Sequence, residues 1–230
     1  MADIIPFNGL STKYISDSFN VYFVPAGFTF TIWGIIYLGL ILFGIYQLRS
    51  NKYSELFRKM LPAFLIGCIA NSVWIILWHY LQINISIVVM LILLVSLIVN
   101  YLQIEKEKVK KDNLFNWCVK YPISLYLGWI SVATIANVTV VLFNNGFDGF
   151  NIPSQVWSML LILVSGVLGS VFILRKRDII YSIVILWSTF GIAYKFITES
   201  LILVGVIVAW VIILSSMLIA FYKNRASYKQ

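Results

Sequence analysis

Charged residues are scarce in this 230-residue chain: Asp, Glu, Lys and Arg together make up 11% of it, whereas 61% is hydrophobic. An ordinary soluble domain contains about a quarter charged residues, so this composition excludes water as the solvent for most of the folded surface. The mean hydropathy of +0.92 agrees with that exclusion. The chain is therefore predicted to be an integral membrane protein.

Cysteine and histidine are also rare: the chain contains Cys68, Cys118 and His79 and no others. The cysteines lie at unrelated helix positions, which predicts two free thiols and neither a disulfide framework nor a metal site. His79 is expected to be a solvated polar side chain near a helix end, with haem ligation as the alternative. No Ser–His–Asp set, metal cluster or carboxylate pair occurs within the apolar blocks, so we predict no enzymatic activity and no required cofactor.

The first 24 residues lack an apolar block, and they also lack the basic region followed by an apolar stretch that marks a cleaved signal peptide. Beyond them, the apolar residues fall in blocks of about 20, the length that crosses ~30 Å of hydrocarbon. Each block should be a helix, because backbone polar groups in lipid must be satisfied within the segment. The prediction is an all-α, polytopic transmembrane helix bundle with seven spans, at residues 26–48, 61–81, 84–104, 119–143, 156–174, 179–197 and 200–222.

The positions of Lys and Arg predict the orientation of the bundle. Fifteen of the seventeen lie in alternate connections, at residues 49–60, 105–120 and 175–178, and in the tail 223–230. The other two are Lys13 and Lys195. The positive-inside rule therefore places the N-terminus outside and the C-terminus in the cytoplasm of a plasma membrane. It also explains the net charge of +8 without a nucleic-acid partner.

Three predicted helices combine tryptophan with polar or small residues on one face. The sets are Trp33 and Tyr37; Asn71, Trp74 and Trp78; and Trp129, Ala133 and Asn137. Buried asparagine is costly without a partner, so both asparagines should point into the bundle. In the predicted orientation all three faces lie in the outer leaflet, which favours an outward-opening pocket for a flat or bulky apolar ligand. Ordinary aromatic packing, with the two asparagines hydrogen-bonded to each other, is the alternative.

The same residues carry a family resemblance. The run Val24–Tyr37 resembles the Pro-Pro-x-Trp…Val-Trp-x-x-Leu-Tyr signature of the TspO/MBR family, the translocator proteins and tryptophan-rich sensory proteins. Asn71–Trp74 is similar to the family's Leu-Asn-x-x-Trp motif. Tyr126–Trp129, followed by Ala133 and Asn137, resembles its Tyr-Leu-x-Trp…Ala…Asn motif.

This resemblance covers about residues 8–143 and implies a helical bundle that binds porphyrins, other tetrapyrroles or sterol-like lipids. Residues 8–24, within an extracytoplasmic segment 1–25, would form a lid, and a porphyrin or haem would be the bound group. When the family's binding positions are transferred to the matching residues of this chain, the implied pocket lining is Trp33, Tyr37, Asn71, Trp74, Trp129, Ala133 and Asn137. Trp78 is added as a neighbour of Trp74.

The chain departs from the family pattern at its N-terminal side. Phe28 or Gly27 stands where the family has tryptophan, and Val24 or Ala26 replaces one proline of the pair. Family members carry a helix before the lid, which the first residues here do not provide. The region 26–143 would match the family's second to fifth helices, and 144–222 would add three more. We expect a full-length form with eight spans if a mis-assigned start or a truncation has removed a first helix.

The function expected from these features is that of a sensor or carrier. Its partners would be membrane lipids and an apolar small molecule, with a homodimer left open. A transporter or permease is the alternative, although ion coupling predicts charges within spans and internal repeats, which this sequence does not show. A scaffold protein is a further alternative. A retinal protein is excluded, because residues 200–222 contain no lysine.

Two further sequence patterns are interpreted as structural: one as close helix packing and the other as an ion pair on the surface. Small residues four apart predict close approach between helices, at Ala63 with Gly67 and at Gly166 with Ser170. Lys195 and Glu199 have the i, i+4 spacing of a surface ion pair.

Overall fold

A computed structural model describes residues 7–227, and all regular structure in that part of the chain is helical. A 3-10 turn, Gly27–Thr31, leads into the second helix, and a short turn with a π segment, Asn113–Lys120, leads into the fifth. The all-α fold class predicted from the sequence is confirmed. The helices are α1 (Thr12–Ser18), α2 (Ile32–Arg49), α3 (Ser54–His79), α4 (Ile83–Lys106), α5 (Tyr121–Asn144), α6 (Ser154–Lys176), α7 (Ile179–Lys195) and α8 (Ser200–Ser227).

Six of these helices, counted with their leading turns, are long and apolar enough to cross a membrane. The seventh, α7, has 17 residues and lies at the short limit of the transmembrane range of about 17–25. It still reaches both ends of the bundle, because Asp178 before it contacts α4 and Lys195 at its end contacts α1. The polytopic bundle is therefore confirmed. Two helical segments begin earlier than predicted, at Ser54 instead of residue 61 and at Asn113 instead of residue 119.

The long helices α2 to α8 alternate in direction, so their connections fall at two ends of the bundle. We call one the covered end, because the N-terminal segment (residues 7–26) packs across it; its connections are 80–82, 145–153 and 196–199. The other is the basic end, because each of its connections carries Lys or Arg; these are 50–53, 107–112 and 177–178.

Close helix packing depends on small residues, as the sequence predicts. A Cβ atom on Gly67 of α3 would lie 2.6 Å from Ser96 Oγ of α4. A Cβ atom on Gly166 of α6 would lie 2.8 Å from Ala209 Cβ of α8. Since real Cβ atoms do not approach so closely, glycine is what lets these backbones meet. The predicted packing role of both glycines is confirmed.

Helix α2 is held mainly from one side. It packs on α5, where a Cβ on Gly39 would lie 3.0 Å from Pro122 Cβ. The backbones of α2 and α3 stay apart, and aromatic rings join the two helices toward the basic end. The Phe43 ring lies 5.9 Å from that of Phe57 and 5.1 Å from that of Phe64. This arrangement leaves space between α2, α3, α4 and α5 in the middle of the bundle.

Candidate ligand-binding site

A narrow pocket lies at the covered end, between the N-terminal segment, α3 and α5, and we call it the covered pocket. Its volume is about 40 Å³, and its lining is almost entirely apolar. Thr12 and Ser16 of α1 contribute to its roof. Its walls include five of the eight residues predicted to bind ligand: Trp74, Trp78, Trp129, Ala133 and Asn137.

Hydrogen bonds fix two of these side chains. The indole of Trp74 donates to Asn137 Oδ1 at 3.1 Å, and Asn137 Nδ2 donates to Ser86 Oγ at 3.0 Å. Asn137 thus links α5 to both α3 and α4 through bonds to other residue types, not through the asparagine pairing considered above. Trp78 stacks on Trp74 with ring centroids 5.5 Å apart.

Two indole N–H groups at the pocket are buried and unsatisfied within the part of the chain that the structure describes. Trp78 and Trp129 are 4% and 3% exposed, and neither Nε1 atom has a hydrogen-bond acceptor among the described residues. A buried donor left unsatisfied costs about 1–3 kcal/mol. The pocket is therefore lined by two tryptophans whose indole donors are unsatisfied, an arrangement suited to a ligand that brings an acceptor.

The remaining predicted residues lie elsewhere. Tyr37 and Asn71 line a second, larger cavity of about 250 Å³ between α2, α3, α4 and α5, which we call the mid-bundle cavity. Trp33 lies between the two spaces. Its ring stacks on Tyr37 at 5.5 Å and meets Trp129 edge-on at 6.3 Å. The structure thus distributes the single predicted pocket over two compartments with an aromatic wall between them.

The roof of the covered pocket is tied to α3 through His79. This residue is fully buried, and its Nδ1 donates to the Ile75 carbonyl at 2.8 Å. Its Nε2 lies 3.4 Å from Thr12 Oγ1 of α1. The expectation of a solvated histidine is therefore wrong, because α1 packs over the end of α3 and excludes water from the ring.

The roof is also tied to α7. Asp17 of α1 forms an ion pair with Lys195, the Ala26 amide donates to the Gly191 carbonyl at 3.1 Å, and the Trp187 indole donates to the Thr29 carbonyl at 3.1 Å. The predicted pairing of Lys195 with Glu199 is wrong. Helix α7 ends at Lys195, so the i, i+4 geometry that would bring Glu199 close is not continued.

Sequence reasoning missed two buried polar residues. Asn100 of α4 is fully buried beside the mid-bundle cavity. Asn71 was singled out because its amide lies inside an apolar block, and the same argument applies to Asn100. Asp178 is 2% exposed at the basic end, and its position before an apolar helix is the signal of an N-cap.

These features define a multi-pass helical membrane protein with an aromatic pocket covered by its own N-terminal segment. The family model of the TSPO-like proteins matches residues 1–221, so the chain belongs to that family. The match confirms the TspO/MBR resemblance and extends it beyond residues 8–143, across α6, α7 and most of α8. No curated protein and no solved structure matches the chain.

Proposed function

We propose that this TspO-like protein binds an apolar ligand in the covered pocket, as a membrane receptor or carrier. The observation that carries the proposal is the pair of buried, unpartnered indole donors of Trp78 and Trp129 in an apolar pocket. A ligand with a flat apolar body and a carbonyl or carboxylate acceptor would satisfy them. Porphyrins, which the family resemblance implies, carry carboxylates of this kind, and the sterol-like lipids that it also implies present a hydroxyl oxygen as the acceptor.

The proposal also requires the N-terminal segment to move. A volume of about 40 Å³ is far below the roughly 300–1,000 Å³ of sites that hold drug-sized ligands. The polar ties that hold the roof over α3 and α7 are few, and the ion pair between Asp17 and Lys195 is partly exposed. Exposed pairs contribute about 0–1 kcal/mol. Opening also exposes apolar residues of the segment, because Ile15, Phe23 and Val24 are at most 1% exposed in the closed structure and burial of one such side chain contributes about 1.5–3 kcal/mol. The segment therefore acts as a lid that opens against this apolar packing and closes over the ligand.

The test is a titration of the purified protein in detergent with protoporphyrin IX, followed by the absorbance of the porphyrin. Trp78→Phe and Trp129→Phe keep an aromatic ring and remove one donor each. Losing one hydrogen bond of about 1.4 kcal/mol weakens binding roughly tenfold. We expect that loss in both variants, and a similar loss in Asn137→Ala, which frees Trp74.

Trp117→Phe is the matched control, since Trp117 is 69% exposed and lies outside the pocket. It should bind porphyrin as the wild type does. Unsaturable binding in the wild type, or equal affinities in all four variants, would contradict the proposal.

A further inference from the structure

The mid-bundle cavity is larger than the covered pocket. Its volume is about 250 Å³, and it lies between α2, α3, α4 and α5. Apolar walls come from residues such as Leu40, Phe64 and Leu97. An engineered apolar cavity of about 150 Å³ binds benzene, so this one has room for a compact molecule of roughly ten non-hydrogen atoms.

Two amide oxygens beside this cavity lack a hydrogen-bond donor in the described part of the chain. Asn71 is 9% exposed and Asn100 is fully buried, and neither Oδ1 atom accepts a hydrogen bond from any described residue. Buried polar atoms are nearly always paired, so two orphaned acceptors at one cavity require a physical account. An occupant that donates hydrogen bonds supplies one.

Three donors that line the cavity are already used. Asn100 Nδ2 donates to the Ser96 carbonyl at 3.1 Å, and Ser96 Oγ donates to the Leu93 carbonyl at 2.7 Å. Ser72 Oγ donates to the Cys68 carbonyl at 3.0 Å. The amide of Asn100 cannot be turned over, because its oxygen would then face the Ser96 carbonyl. The orphaned group at Asn100 is therefore an acceptor.

The cavity borders on the lipid-facing surface of the bundle. The backbones of α2 and α3 stay apart, and two residues that line the cavity from α3, Cys68 and Ser72, are exposed on the outside of the helix. A molecule dissolved in the bilayer could enter through this gap. Such a route favours an uncharged ligand, because charge is costly at this depth.

We propose that the mid-bundle cavity is a second ligand site, separate from the covered pocket, for a compact uncharged alcohol or phenol. The aromatic body would fill the apolar walls, and the hydroxyl would donate to Asn100 Oδ1, with Asn71 Oδ1 as the alternate acceptor. Trp33 separates this site from the covered pocket.

The test compares 2-naphthol with naphthalene, which has the same rings without the hydroxyl. The readout is the Tm of the purified full chain in lipid nanodiscs, since a ligand that binds the folded state raises Tm by mass action. We expect a saturable rise with 2-naphthol, and a comparable rise with naphthalene only at about tenfold higher concentration, because naphthalene lacks the one hydrogen bond. Equal shifts from the two compounds at the same concentration, or no saturable shift from 2-naphthol, would overturn the proposal without the use of any variant.

Two substitutions then locate the site. Asn100→Leu keeps the shape of the side chain and removes the acceptor, and we expect it to weaken 2-naphthol binding about tenfold. Asn71→Leu serves the same purpose if the first variant does not fold, with a smaller loss expected. A full 2-naphthol response in a folded Asn100→Leu protein would overturn the assignment.

Asn137→Leu is the matched control in the covered pocket. It should retain the 2-naphthol response and lose porphyrin affinity, while Asn100→Leu should retain porphyrin affinity. This crossed design separates a failure of the second site from a failure of the covered pocket. Loss of the 2-naphthol response in Asn137→Leu would place that compound in the covered pocket and overturn the proposal.

Discussion

At the scale of single residues, Asp178 combines several stabilising roles. Its Oδ2 accepts from the Tyr101 hydroxyl at 2.9 Å and from the Ser124 hydroxyl at 2.7 Å, and its Oδ1 accepts from the Tyr181 amide at 3.2 Å. The side chain thereby joins α4 and α5 to the first turn of α7. A buried carboxylate persists when its oxygens are satisfied by hydrogen bonds of this kind.

We predict that Asp178→Ala destabilises the protein by about 3 kcal/mol, because it removes an N-cap and leaves two buried hydroxyls unpaired. Unfolding in SDS, followed by circular dichroism, measures the effect. Asp148→Ala is the control, since Asp148 caps a short turn through the Phe150 amide at 2.9 Å in an exposed loop. Equal losses of stability in the two variants would contradict the role assigned to Asp178.

Single residues also show how far sequence reasoning reaches. The cost of placing an unpaired amide in hydrocarbon is enough to predict that Asn71 and Asn137 point into the bundle. The two side chains belong to residues that are 9% and 2% exposed. It does not predict that Asn137 bonds to Trp74 and Ser86, because partner choice depends on how three helices are rotated. His79 was misjudged for the same reason, since its burial depends on a segment 67 positions away in the chain.

At the scale of elements, the long helices were predictable from composition alone. The lid was expected only from the family resemblance, and its helix α1 was not predicted. The thickness of the hydrocarbon core sets the length of a membrane-spanning helix, and the need to hydrogen-bond every backbone polar group in lipid makes each apolar segment helical. Both constraints apply to any sequence of this composition. Helix α1 has seven residues, too few to be stable alone. Its helical form depends on the surfaces of α3 and α7 beneath it, which the local sequence does not encode.

The lid leads to a kinetic prediction. Asp17→Asn removes the ion pair with Lys195, so the lid should open more readily and protoporphyrin IX should associate faster, by up to about fivefold for a contribution of up to about 1 kcal/mol. Stopped-flow mixing measures the association rate. Added salt should speed association in the wild type by screening the pair, and should have less effect on the variant.

The matched control for that experiment is Glu55→Gln. Glu55 pairs with Lys59 at 2.8 Å near the basic end, and both side chains are exposed. Removing this pair eliminates one salt bridge without touching the lid, so the association rate should not change. Equal rates in the wild type, Asp17→Asn and Glu55→Gln would show that the ion pair does not hold the lid closed.

At the scale of the whole molecule, α6, α7 and α8 form part of the same bundle as the helices that carry the family motifs. Helix α7 packs on α5, where a Cβ on Gly128 would lie 3.1 Å from the Tyr181 carbonyl oxygen. It also supports the turn that leads into α2, where a Cβ on Gly191 would lie 2.2 Å from Thr29 Cγ2. Helix α7 therefore supports the lid and one wall of the site, and α6 and α8 pack against α7. Motif spacing along the chain could not reveal this role.

The orientation of the bundle gives the last prediction. The three basic connections lie at one end, and the positive-inside rule places that end in the cytoplasm, so the covered pocket would open toward the outside. Replacing Cys68 and Cys118 by serine provides a background without thiols. Asn51→Cys then adds one at the basic end and Thr198→Cys adds one at the covered end, both at exposed positions.

A membrane-impermeant maleimide applied to intact cells should label Thr198→Cys, and should label Asn51→Cys only after the membrane is permeabilised. The reverse pattern would place the lid in the cytoplasm, and ligand would then reach the covered pocket from inside the cell. Labelling of both positions in intact cells, or of neither, would place the two ends on the same side, which an odd number of crossings between residues 51 and 198 does not allow. The experiment therefore also tests whether the short helix α7 crosses the membrane, because without it those two positions would be joined by an even number of spans.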